Sequence, residues 1–79
     1  MTKTALTLAE ARATLKGLGY TLKTRRNSSF ISGTVTHVET GDQVSAINAM
    51  TPDFYKKHKA FFDFKNGHTV QDGQWRVIL

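Results

Sequence analysis

Phe54, Tyr55, His58, Phe61 and Phe62 fall within an arc of about 120° on a 3.6-residue helical wheel. No other segment of this 79-residue chain concentrates so much apolar area, so the fold has to close on that stripe. A chain of this size buries only roughly 60% of its unfolded surface. It has no cysteine, so neither a disulfide nor thiolate-bound zinc can supplement a thin core. Self-association into a homodimer is one route to further burial. Thr51-Pro52-Asp53 marks the start of the stripe's helix, with a hydroxyl cap, proline at the first helical position and an acid at the positive end of the dipole. Asn66-Gly67 marks its end.

Earlier in the chain, Thr7-Leu8-Ala9-Glu10 has the form of a capping box. Leu8, Ala11, Leu15 and Leu18 follow at helical spacing, and Gly17 and Gly19 offer the left-handed residue that stops a helix, which predicts one over about 8–18. Period-two alternation then places Tyr20, Leu22 and Thr24 on one side of a strand and Thr21, Lys23 and Arg25 on the other. After a turn at Asn27-Ser28, the run Phe30 to Val38 reads as a second strand with Ile31 and Val35 inward and Gly33 making room for a bulky neighbour. Glu39-Thr40-Gly41-Asp42 turns the chain into a third strand, Gln43 to Ile47. In the tail, Asp72-Gly73 signals a hairpin before a strand at 74–79, where Trp75, Val77 and Leu79 share a face. The expectation is a single α+β domain spanning 1–79: helix, three-stranded antiparallel meander, helix, then a C-terminal strand or hairpin. Both helices should pack on one face of the sheet.

Catalytic chemistry finds no foothold. The serines lack a nucleophile elbow, and four of the six acids are assigned to a cap, a helix start and two turns. His58 lies among phenylalanines, which reads as a packed core histidine in preference to a proton carrier or pH switch. His37 and His68 show no ligand spacing with it, so no metal and no cofactor is expected. The glycines form no phosphate-cradling loop, and the chain is expected to be non-enzymatic. The absence of a long apolar run, at the N-terminus or elsewhere, predicts neither signal peptide nor membrane span. A cytoplasmic protein follows as the expectation.

The net charge is +5, and two basic segments interleave with aromatics. One holds Lys23, Arg25, Arg26 and Phe30; the other holds Lys56, Lys57 and Lys59 between Phe54 and Phe61. Cations beside flat apolar surface suit either an acidic surface of a protein or ribonucleoprotein complex, or nucleic acid directly. The same residues also serve to blunt a strand edge or to solvate a helix face. Phe30 and Phe64 are the two candidates for exposed aromatics. In element order, with Lys56-Lys57-His58-Lys59-Ala60 near the start of the later helix, the chain resembles double-stranded RNA-binding domains. Here the lysines come a turn late and phenylalanines fill that helix, so the resemblance extends to order alone. As a small, cysteine-free domain without a catalytic signature, it is similar in kind to accessory proteins of phages and plasmids, anti-CRISPR inhibitors among them. That likeness implies stoichiometric steric blockade of a nucleic-acid-handling defence complex, with direct nucleic-acid binding as the alternative.

Overall fold

The computed structural model describes residues 3–45 and 47–79. The capping box forms as its spacing predicts: the Glu10 amide donates to Thr7 Oγ1 at 3.2 Å, and the Thr7 amide donates to Glu10 Oε1 at 3.1 Å. Helix α1 (Leu8–Gly17) follows and buries Ala11 and Leu15. It ends where Gly19, at φ 91°, donates its amide to the Lys16 carbonyl, a left-handed cap. Ahead of α1 lies a strand absent from the expectation, β1 (Thr4–Thr7). Four residues with one half-buried side chain carry too little alternation to be recognised, and β1 exists because β5 (His68–Asp72) pairs with it in parallel.

Strands β2 (Tyr20–Arg26) and β3 (Ile31–His37) form the expected hairpin, with Leu22 opposite Val35 and Lys23 opposite Thr34. The third strand is cut to β4 (Gln43–Val44); Ala46, inside the expected run, lies outside the described residues. The antiparallel meander β2-β3-β4 forms with this short third strand, and β6 (Trp75–Ile78) runs parallel to β3 at the start of the same margin that β4 uses further along. The sheet therefore reads β1-β5-β6-β3-β2, with β4 beside β3. Element order alone had pointed toward double-stranded RNA-binding domains, and that likeness does not extend to this sheet.

The later helix is two. Helix α2 (Pro52–Lys57) and helix α3 (Lys59–Gly67) meet at His58, whose φ of −116° and ψ of 33° leave the helical region. Pro52 and Asp53 stand where the start signal puts them, but the Thr51 hydroxyl donates to the Asn48 carbonyl at 2.9 Å instead of capping. Phe64 is buried and stacks on His68 at 4.8 Å, so it is no surface aromatic.

Registers place Leu6, Val70, Val77, Ile31, Val35, Leu22, Tyr20 and Val44 on one face of the sheet. Ala11, Leu15, Phe61, Phe62 and Phe64 close over that face, so the helices form one layer and the sheet the other. No helix is long and apolar enough to cross a membrane among the described residues. Gly33 is where the layer packs tightest. A Cβ there would stand 2.5 Å from Leu79 Cδ2, 3.0 Å from Val77 Cγ1 and 3.1 Å from Leu22 Cδ1. Leu79 can swing aside, whereas Val77 is buried and has a single side-chain torsion. Gly33→Val should cost about 1–3 kcal/mol in chemical unfolding. Gly17→Ala, whose Cβ meets nothing within 4 Å, should instead gain about 0.5–1 kcal/mol.

Candidate binding surface

The sheet's second face has no helix over it. Alternation along β2 sends Lys23 and Arg25 there, because Tyr20 and Leu22 are held inward. Their cross-strand partners are Thr34 and Ser32, and Thr21 faces Thr36. On the far side, β6 adds Arg76 and Ile78, the latter exposed and beside Ser32. The face is thus a threonine- and serine-lined plane bearing Lys23, Arg25 and Arg76. Among the described residues none of the three is ion-paired, and the strands place no acidic residue on the face; the Glu10 carboxylate is held at the β1 margin by Thr7. Arg25 and Arg76 stand two strands and two residues apart, about 12 Å between Cα atoms. That exceeds the Debye length of about 8 Å at physiological salt, so their mutual repulsion costs the fold little.

Of the residues singled out in the sequence, Lys23 and Arg25 share the bare face, and Phe30 lies just beyond the end of their hairpin partner strand. Phe30 is 39% exposed at the hairpin end, where the Asn27 amide still donates to its carbonyl at 2.8 Å. Arg26 turns to the helix side of the sheet. Its guanidinium lies 5.7 Å from the Trp75 ring centroid and 4.0 Å from Asp72, a loose and largely solvated pair worth little. Lys56, Lys57 and Lys59 sit in the helical layer, away from this face. Lys57 is bound to Asp42 at 2.9 Å, and Lys59 to Asp63 at 3.0 Å one turn along α3. The Asp63 carboxylate holds the Lys59 ammonium above its usual range. Sequence reasoning missed Arg76; its signal was the alternation Trp75-Arg76-Val77, which puts one cation on the polar side of the tail strand.

Sequence reasoning also missed the centre of the molecule. His58 is 1% exposed and bonded at both ring nitrogens: Nδ1 to the Tyr20 hydroxyl at 2.9 Å and Nε2 to Asp42 Oδ2 at 3.2 Å. An ionised carboxylate only accepts, so Nε2 carries a proton, and in the neutral ring the Tyr20 hydroxyl donates to Nδ1. His58 is the packed core histidine expected, but its neighbours include the Asp42 carboxylate as well as phenylalanines. Asp42 belongs to the turn after β3, and its reach across the fold leaves no local pattern. Donors from Lys57, His58 and Thr40 hold its carboxyl at about 2, well below the usual value. Burial, and then the charge of Asp42, push the Tyr20 phenol up. The His37 ring packs 4.8 Å from Tyr20 and 5.3 Å from His58.

A tyrosine–histidine–aspartate line at the floor of a cleft would serve proton transfer. Here Tyr20 is only 3% exposed and His58 1%. The line instead ties β2, the turn after β3 and the α2–α3 junction together. Among the described residues no group of histidines and acids is placed to hold a metal ion. Comparison with known protein families, curated proteins and solved structures returns no match.

Tyr20→Phe strands the buried Nδ1 and should lower stability by about 1–3 kcal/mol in urea unfolding. Asp42 has a folded value of about 2 against an ordinary 3.8, so its contribution is complete above the ordinary value and is lost as pH falls through about 2. Asp42→Asn should make the acid-side decline of the unfolding midpoint, from about pH 4 to about 2, shallower than in the native chain.

Proposed function

We propose that this chain is a small non-enzymatic binding protein that acts by occupying the surface of a macromolecular partner, one to one. Lys23, Arg25 and Arg76, with Phe30 at their margin, form the contact. The observation that carries this reading is the bare sheet face, which among the described residues bears Lys23, Arg25 and Arg76 without an acidic strand residue and without a helix over it. Exposed cations without internal partners leave their Coulomb attraction available to another molecule. Arginine adds a planar fork that grips carboxylates in pairs. The reactive-looking groups, Tyr20 and His58, are buried, which speaks for binding rather than catalysis.

An acidic protein surface is the better fit than nucleic acid. Single strands are held on successive stacked aromatics, and this face offers Phe30 alone at its end. An acidic surface of the kind that lies on nucleic-acid-handling complexes meets the same charges without needing a stacking platform. The mechanism is then steric blockade, as in inhibitors of host defence nucleases.

The test is affinity capture from the native host after nuclease treatment. The chain should retain one stoichiometric protein. The charge reversal Lys23→Glu/Arg25→Glu/Arg76→Glu should abolish capture, while Lys56→Glu, in the other layer, should not. Capture of nothing, together with a duplex gel shift that weakens by about 0.9 log units per phosphate contact per log unit of salt, would transfer the assignment to direct nucleic-acid binding. Unchanged capture by the triple variant would refute the surface.

A further inference from the structure

The outer margin of β2 has a backbone pattern that the side chains alone do not reveal. Ladder bonds at both ends of the hairpin set its phase: the Asn27 amide donates to the Phe30 carbonyl at 2.8 Å and the Val38 amide to the Gly19 carbonyl at 3.0 Å. Bonded pairs alternate along an antiparallel ladder, so Thr21, Lys23 and Arg25 direct their main-chain groups toward β3. Tyr20, Leu22, Thr24 and Arg26 direct theirs outward. Among the described residues no strand pairs with that margin, because β2 ends the sheet. Beside it runs a groove of about 470 Å³, floored by Tyr20, Leu22 and Val38 and walled by Arg12 and Lys16 of α1. The groove is apolar at its base, and Val38 is 65% exposed.

We propose that this margin takes up an extended acidic segment of a partner protein as an added strand of the sheet. The inference rests on the binding reading above and names the partner's chemistry. An added strand copies the alternation of β2. Its residues on the bare face would stand beside Lys23 and Arg25, where Asp or Glu gains and Lys or Arg loses. Its residues on the other side would enter the groove next to Tyr20 and Leu22, where apolar side chains fit. Arg12 and Lys16 add positive charge around the same channel, and Arg12 already reaches the strand through a 3.3 Å bond to the Thr24 hydroxyl. The segment is therefore one that alternates acidic and apolar residues.

Charge excludes the competing occupants. A second copy pairing through β2 would bring Lys23, Arg25 and Arg26 against their own counterparts, which like-charge repulsion opposes. Nucleic acid has no row of amides and carbonyls to complete the ladder. The opposite margin of the sheet, β1, is four residues long and uncharged, and carries no such selectivity.

The probe is a fluorescein-labelled peptide of roughly nine residues alternating valine and aspartate, read by anisotropy and by amide hydrogen exchange on the full chain. It should bind saturably and slow exchange at Tyr20, Leu22, Thr24 and Arg26. A shuffled peptide of equal composition, and an alternating valine–lysine peptide, should bind at least about tenfold more weakly. Thr24→Pro removes one outward donor and leaves the bonds to β3 untouched, since proline is tolerated on a free margin. It should weaken the peptide by about tenfold or more. Lys23→Glu/Arg25→Glu should reverse the preference toward valine–lysine, and this pair decides the matter alone should Thr24→Pro fail to fold. The inference is overturned if the valine–aspartate peptide does not bind, if it binds without protecting those four amides, or if folded Thr24→Pro binds it unchanged. Protection of the same amides by duplex DNA or by self-association in place of the peptide overturns it equally. A captured host protein that survives Thr24→Pro but is lost with the triple charge reversal would sink the added strand and leave the cationic face standing. Retention by both variants would sink the two together.

Discussion

One sheet face must stay wet in a protein this small. The described residues provide six strands and three short α-helices, with one further turn of 3-10 helix at Asn48–Met50, and the helices suffice for a single layer. The uncovered face then has to satisfy two conditions at once: β propensity to hold the strands, and polarity to tolerate water. Threonine and serine meet both, which is why Thr21, Ser32, Thr34 and Thr36 line it. Cations on such a plane find no acidic partner, because the protein's acids are used in caps, turns and helices. The bare cationic face is thus a consequence of how the chain covers its core.

Covering that core depends on His58. A straight helix from Pro52 to Gly67 would present the aromatics as one ridge, yet the ring of His58 must reach both Tyr20 and Asp42. The backbone leaves helical geometry at that residue, and the helix divides. Phe54 and Tyr55 then pack from one segment while Phe61 and Phe62 pack from the other, with Tyr55 stacked 5.4 Å from Phe62. A buried polar network of this kind is stabilising only when every member is satisfied. Among the described residues no buried side-chain polar atom lacks a partner. Asp42 stays ionised at the rim, so the network spans from solvent to core without burying an isolated charge.

Local chemistry was legible and long-range pairing was not. The capping box at Thr7 and Glu10, the inward set Tyr20, Leu22, Ile31 and Val35, the close packing at Gly33 and the hairpin at Gly73 follow from spacing and residue type. In each, the determining contacts lie within a few residues or follow a fixed period. The parallel pairing of β1 with β5 joins positions more than 60 residues apart, and that of β3 with β6 joins positions 46 apart. Nothing in a four-residue stretch of Thr-Ala-Leu-Thr announces its partner. The same limit hid Asp42 from His58: a turn aspartate has a sufficient local explanation, and its second role appears only when the fold brings the turn against the helix junction. Of the surface residues, Lys23, Arg25 and Phe30 could be grouped because one hairpin holds them. Arg76 could not, because β6 joins that face by pairing with β3, 46 positions earlier in the chain.

Basic residues on a terminal strand are ordinarily explained as protection against aggregation, and that explanation is compatible with recognition here. Protection works because Lys23, Arg25 and Arg26 make β2 a poor template for itself and for other neutral or cationic strands. The backbone donors and acceptors at Tyr20, Leu22, Thr24 and Arg26 remain available all the same, since repulsion acts on the approaching side chains and not on the ladder. A strand bearing carboxylates meets attraction where others meet repulsion, and finds the apolar groove under Tyr20 and Leu22 already formed. The charges that oppose pairing of β2 with a second β2 are therefore the ones that, on the proposed reading, select an acidic strand. Specificity of this type needs both halves, an attractive match and a penalty for mismatches. Both reside in the same seven residues of β2.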